Sequence, residues 1–164
     1  MKPSDDLKII GEQEKALVLP QLDADVVWKM GCRLRELAVK RKLPVAFEIR
    51  RFGQVLFFCA MPGAIPDNAE WIRRKVNVVQ RFLRSSYAVG LGLKEEGATL
   101  ASKYELTQTD YAVHGGSFPL AVSGAGIIGS VTVSGLPQRQ DHELAVEVLC
   151  DLLGKDYSKL ALPK

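Results

Sequence analysis

Val45-Ala-Phe-Glu-Ile-Arg-Arg51, Phe52-Gly53 and Gln54-Val-Leu-Phe-Phe-Cys-Ala60 form the stretch on which the fold turns. Both flanking runs are rich in β-branched and aromatic residues, and a glycine stands between them where a tight reversal needs it. The pattern predicts a β-hairpin, broken by Met61-Pro62-Gly63-Ala64-Ile65-Pro66. Glu48 alternates with Phe47 and Ile49 in a strand whose other residues read as buried, so it either faces solvent or pairs with an arginine.

Toward the N-terminus, Asp23 or Asp25 caps a helix running to about Lys42. Val26, Val27, Met30, Leu34, Leu37 and Ala38 share one arc of it, roughly 120° wide at 100° per residue, which faces a core. Trp28, Cys32, Arg35 and Val39 make a second, narrower ridge on the opposite side, for which a monomer has no use. Leu7, Ile10 and Glu14 predict a helical arm over about residues 4–17, with Ser4 and Asp5 able to cap it and Leu19-Pro20 ending it.

Toward the C-terminus, Asp67 or Asn68 caps a helix to about Ser85. Ile72, Val76, Val79 and Leu83 make one stripe of it, Trp71, Val78 and Phe82 a neighbouring one, and Arg73, Arg74, Arg81 and Arg84 share the remaining arc with Asn77. That basic face is either solvated or an anion site or interface. Ser86 to Asp110 reads as short helices and loops, and Tyr111-Ala-Val-His114 as a short strand. Two further strands, Phe118–Val122 and Ile127–Ser134, are joined by Ser123-Gly-Ala-Gly126. Pro137 stands at the first position of a last helix, with Leu144, Ala145, Val148, Leu149 and Leu152 inward and Gly154 as C-cap. Hairpins rather than β-α-β crossovers imply a mainly antiparallel sheet with helices against it, an α+β sandwich.

The 164 residues fit a single domain spanning 1–164, and 47% hydrophobic with 25% charged residues excludes a disordered chain. A formal charge of +3 is too small to argue for nucleic acid or an anionic membrane. Cys32, Cys59 and Cys150 are widely spaced in apolar stretches, which fits reduced, buried thiols rather than a disulfide framework or metal knuckle. The N-terminus turns acidic before any apolar run, and no run approaches the ~20 residues of a bilayer span, so a cytoplasmic location is expected.

Gly124-Ala-Gly126-Ile-Ile-Gly129 spells G-x-G-x-x-G, yet the residues that follow alternate and are β-branched. It therefore reads as a hairpin turn rather than a dinucleotide loop, which needs a helix after it. The histidines stand in unusual settings. His114 opens His-Gly115-Gly116-Ser117-Phe-Pro, where paired glycines let the backbone bend and approach a ligand. His142 lies at the start of the last helix, where the helix end disfavours the imidazolium. Either each bonds a carbonyl and packs, or both converge on one pocket. Walker A, EF-hand, zincin and nucleophile-elbow patterns are missing, and without C-x-x-C-H any haem is bound non-covalently.

At Arg81-Phe-Leu-Arg-Ser-Ser86, Tyr111-Ala-Val-His-Gly-Gly-Ser-Phe-Pro119 and Gly129-Ser-Val-Thr-Val-Ser-Gly-Leu-Pro-Gln-Arg-Gln-Asp-His142, the chain resembles the GlcG/HbpS-like family of haem-degrading domain proteins, and within it the short branch made of that domain alone. The resemblance implies a profilin-like sandwich with a five-stranded, mainly antiparallel sheet flanked by helices. It also implies homo-oligomers and the binding or breakdown of haem. Two readings follow. One is a small-ligand-binding protein using His114, Gly115, Gly116, Ser117 and His142, with Arg81 for an anionic group. The other is a non-enzymatic oligomeric scaffold in which the glycine motifs are turn chemistry and the Trp28 ridge is an assembly surface.

Overall fold

The computed structural model describes residues 3–163, with side chains from Asp5 onward, so a cap from Ser4 lies outside the described side chains. The strands β1 (Val18–Leu19), β2 (Ala46–Arg51), β3 (Gln54–Ala60), β4 (Ser117–Val122) and β5 (Gly126–Ser134) form one sheet in the order β1-β4-β5-β2-β3. The hairpins β2–β3 and β4–β5 and the central β2–β5 pair are antiparallel, whereas β1 runs parallel to β4.

The fifth strand is not the expected one. Tyr111–His114 is irregular because its Ala112 N–H donates to Arg74 O of a helix, 3.1 Å away, rather than to a neighbouring strand. Val18–Leu19 supplies the missing strand, too short for any alternation to announce it.

Among the described residues six α-helices pack around the sheet: α1 (Pro3–Ala16), α2 (Ala24–Arg41), α3 (Asp67–Phe82), α4 (Ser86–Glu95), α5 (Leu100–Tyr104) and α6 (Gln138–Leu153). Asp23, not Asp25, caps α2 by accepting from Val26 N. Neither Asp67 nor Asn68 caps α3. It opens behind Pro66, and Asn68 Oδ1 instead accepts from Ile65 N at 2.8 Å. Leu83 leaves the apolar stripe because α3 ends at Phe82 and Leu83 takes the left-handed conformation, 49% exposed. Pro137 precedes the first residue of α6, and Gly154 closes that helix at φ 63°.

The two sheet faces differ chemically, and that difference positions the site. Alternation sends Phe47, Ile49, Phe118, Leu120, Val131 and Val133 toward Met30, Leu34 and Leu37 of α2 and Ala145 and Leu149 of α6. Each such buried side chain contributes roughly 1.5–3 kcal/mol, which makes this layer the main core. On the other face Ala46 packs against Ile72 and Val76 of α3, but its buried neighbours Glu48, Ser117, Ser130, Thr132 and Ser134 are polar. Glu48 takes the arginine alternative, with Arg50 Nε 2.7 Å from its Oε1. Ser117 Oγ and Thr132 Oγ1 satisfy each other at 2.8 Å. Helix α3 therefore lies on a polar floor.

Of the cysteines only Cys150 is buried. Cys32 and Cys59 are half-buried, and all three are free thiols. No described helix is long and apolar enough to cross a membrane.

Candidate functional site

The loop from Tyr111 to Gly116 runs beside the middle of α3, at Arg74, and hangs His114 beside Trp71, ring centroids 5.1 Å apart and nearly perpendicular. The residues after His114 fix the loop through backbone proximity. A Cβ on Gly115 would lie 2.1 Å from Gln138 O. Gly116 sits at φ 132°, and a Cβ there would meet Val133 O at 2.3 Å and Lys75 Nζ at 2.6 Å. Only glycine fits either position. Ser86 Oγ donates to His114 O at 2.6 Å, while Ser117 N donates to Ser86 Oγ at 3.1 Å. Gly115, Gly116 and Ser117 are buried, so their part in the site is to hold His114 in place.

The histidines do not share a pocket. His142 is fully buried on α6 between the rings of Tyr87 and Phe118, and its Nε2 lies 2.8 Å from Gln13 Oε1 of α1. Gln13 Nε2 donates to Leu160 O, which leaves its Oε1 to accept, so the His142 proton sits on Nε2. Among the described residues His142 Nδ1 has no partner, and His142 lines none of the clefts around His114. Arg81 is exposed and borders a separate cleft with Asn77, Gln80, Asp110 and Tyr111. The rest of the basic face is engaged: Arg73 pairs with Glu70 and Asp110, Arg84 pairs with Glu14, and the Arg74 guanidinium lies 4.2 Å from the Trp71 ring centre.

Two clefts meet at Trp71 and His114. The larger, about 400 Å³, has an apolar wall that includes Leu93, Leu100, Tyr111 and Val113, with Arg74 and Lys94 also lining it. The α4 glycine Gly90 gives that wall its shape, since a Cβ there would lie 2.0 Å from Val113 O. Both Gly90 and Gly92 fall within α4. The smaller cleft, about 210 Å³, is lined by Asn68, Ser134 and the ion pair Lys75–Asp141, 3.0 Å apart. Desolvation, then the nearby charges of Lys75 and Arg74, lower the His114 pKa, so its imidazole is neutral and able to act as a ligand at neutral pH.

Lys75 and Asp141 escaped the sequence reading. The available signal was a lysine on the inward arc of α3, three residues after Ile72 and directly before Val76, where a charge has no solvent. Among the described residues no group of three or more His, Cys, Asp or Glu side chains is placed to hold a metal ion.

Residues 22–150 match the family model of haem-degrading proteins of the HbpS-like type. The chain belongs to the HbpS-like haem-degrading family. Its relatives include the UPF0303 protein Bxeno_A1932 of Paraburkholderia xenovorans, 59% identical over 159 residues that cover 97% of this chain and 96% of that one. A UPF0303 protein of Acidobacterium capsulatum is 54% identical over 164 residues, covering 100% and 99%. Among solved structures, the Ybr137w protein superposes with a TM-score of 0.84 at 28% identity, covering 92% of this chain and 89% of that one. The HbpS-like fold itself extends further. HbpS matches with a TM-score of 0.63 at 19% identity, over 82% and 91% of the two chains. A PduOC protein crystallised as a haem complex matches with a TM-score of 0.68 at 21% identity, over 79% and 93%. These two likenesses establish the mixed α+β architecture, a mostly antiparallel five-stranded sheet flanked by helices.

Proposed function

We propose that this protein binds a flat, anionic small molecule in the cleft beside His114, and that haem is the ligand. The observation that carries the reading is the His114 imidazole, neutral and set edge-on to Trp71 at the mouth of a cleft of about 400 Å³. Sites for molecules of this size are commonly 300–1,000 Å³, mostly apolar, with a few placed polar groups.

The residues present fit a haem. A bare ion would need several protein ligands, whereas an iron carried in a macrocycle would need fewer from the protein. His114 would hold the iron, Trp71, Leu93, Leu100 and Tyr111 would supply apolar surface, and Arg74 and Lys94 would supply cations for the propionates. Haem brings redox and oxygen chemistry that the side chains lack. The protein's own work is to hold the imidazole unprotonated, cover one edge of the ligand and neutralise its carboxylates. Membership of a haem-degrading family supports this ligand over other flat anions.

Titration with haem tests it. A saturable shift of the Soret band is expected, and His114→Ala should remove the axial-ligand signature and weaken binding at least about tenfold, ~1.4 kcal/mol, with folding intact. An identical Soret spectrum and affinity in the variant would overturn the assignment.

A self-associating scaffold is the second reading, favoured by a distinct surface. Trp28 is 65% exposed and Val39 51% on the outer ridge of α2, and Val55 and Phe58 are each 46% exposed on β3. Trp28 packs edge-to-face on Phe57, ring centroids 6.0 Å apart, on the α2 side of β3, while Val55 and Phe58, opposite Arg50 and Glu48, lie on its other side, so exposed apolar residues flank this strand on both faces. β3 is an edge strand, so its outer backbone groups have no partner in the sheet. The two readings are compatible, because this surface and the His114 cleft share no lining residue.

A further inference from the structure

The Lys75–Asp141 pair is expensive to keep. Both side chains are 3% exposed, and taking a lysine charge out of water costs several kcal/mol unless its partners restore it. Within the described residues Lys75 Nζ has two hydrogen-bond partners, Val133 O and Asp141 Oδ2, each at 3.0 Å. Leucine at this position would hold α3 to the sheet without that cost, so packing does not account for the amine. The backbone is also shaped around it, since any side chain on Gly116 would collide with Nζ. Asp141 is anchored independently, its Oδ1 accepting from Leu136 N at 3.0 Å. The pair lines the smaller cleft, where Asn68 and Ser134 offer hydrogen-bonding groups and Trp71 an apolar side.

We propose that Lys75 is a nucleophile that captures a small aldehyde or ketone as an imine in this cleft, with Asp141 moving the protons. The Lys75 ammonium first passes a proton to Asp141 Oδ2 along their hydrogen bond. The free amine attacks the carbonyl carbon, the C=O π pair moves to oxygen, and the Asp141 carboxyl protonates that oxygen. Asp141 takes the second nitrogen proton to leave a neutral carbinolamine, then returns it to the hydroxyl. The C–O bond breaks, water departs, and the nitrogen lone pair closes the C=N bond. The product is a protonated imine beside a carboxylate. Amine and carbonyl become imine and water with no change of oxidation state.

The charged and titratable groups around the amine act together. Desolvation lowers the Lys75 pKa and Arg74 lowers it further, against the opposing pull of Asp141, while burial raises Asp141. His114, on the loop lining the same cleft, is itself held neutral. Burial thus weakens the hold of both charges and eases the proton transfer from Lys75 to Asp141 with which the reaction begins.

The test uses the wild-type protein without haem, so it stands or falls apart from the proposed ligand. Propionaldehyde and sodium cyanoborohydride are added at pH 6, and propylated lysines are mapped by peptide mass spectrometry. Lys75 should be modified at least about tenfold faster than exposed Lys40, Lys94 and Lys159, since its amine has a proton acceptor in hydrogen-bond contact that the exposed lysines would have to find in solvent. Asp141→Asn should slow the reaction about tenfold or more. An amine reacting merely because of a low pKa would instead speed up on losing its counter-charge, so a faster variant overturns the role of Asp141. Lys75 left unmodified, or modified no faster than the exposed lysines, overturns the proposal without recourse to any variant.

Discussion

His142 and Gln13, 129 residues apart in sequence, meet at 2.8 Å in the interior, imidazole Nε2 to amide Oε1. This contact ties α1, which packs on Tyr87 and Ala88 of α4, to α6. Asp6 reinforces it by accepting from Arg139 at 3.0 Å and from the Tyr87 hydroxyl at 3.3 Å. Full burial of the ring, its largest cause, lowers the His142 pKa to about 3, with Asp6 opposing and Arg139 adding to the shift.

Stability should therefore fall on mild acidification. An unfolded chain protonates His142 near pH 6.5 while the folded one resists until about 3, so its contribution is whole above 6.5 and is lost as pH drops between those values. The full loss is on the order of 5 kcal/mol, of which about 2 kcal/mol falls between pH 6.5 and 5. Urea unfolding at pH 7.5 and pH 5 checks it: the wild type should lose about that much, and His142→Met clearly less. Equal slopes in both proteins would contradict the assignment.

Two glycine substitutions should separate close approach from turn chemistry. Gly116→Ala puts a methyl group against Val133 O and Lys75 Nζ at a positive φ, whereas Gly124→Ala, also at positive φ, has nothing within 4 Å. The second should cost about 1 kcal/mol, or roughly 2–4 °C in Tm, and the first at least twice that. Similar melting temperatures would show that the loop around His114 yields.

The arginines predict an asymmetry in ligand binding. Arg74 lines the His114 cleft and Arg81 the neighbouring one. Arg74→Ala should weaken haem about three- to tenfold, the value of one charge-assisted contact, while Arg81→Ala should change it less than about twofold. The reverse order in a Soret titration would move the anionic end of the ligand to the Asn77–Arg81 side.

Self-association should depend on Trp28 and on the apolar residues of the edge strand β3. Light scattering is expected to give a multiple of the 18.0 kDa chain mass at micromolar concentration, and Trp28→Glu with Phe58→Lys should reduce it toward 18.0 kDa. A wild-type particle of one chain mass throughout would end the scaffold reading.

The legible parts of the molecule are those set by neighbours within a few residues. Alternation with a central glycine specified the β2–β3 hairpin, and one arc of apolar residues gave α2 its buried face of Val27, Met30, Leu34, Leu37 and Ala38. The G-x-G-x-x-G match was legible as a turn because the residues after it alternate. Gly124, in the turn between antiparallel β4 and β5, and Gly126, the first residue of β5, are both exposed at φ 77°. Tyr111–His114 misled because short apolar runs look alike, and its backbone bond to Arg74 is a tertiary choice.

By itself the sequence determined the hairpins, the helices with strong periodicity, the glycine C-cap of α6 and the His114-Gly-Gly-Ser loop, because torsional preference and apolar period act over a turn or two of chain. Only the tertiary structure decided what that loop would face. It set Lys75 against Asp141 across 66 residues, gave His142 to Gln13 and hid it from His114, and chose Val18–Leu19 as the last strand. The reason is physical. A buried polar group takes its partner from whichever element packs opposite, and which elements pack opposite is settled by the whole core at once.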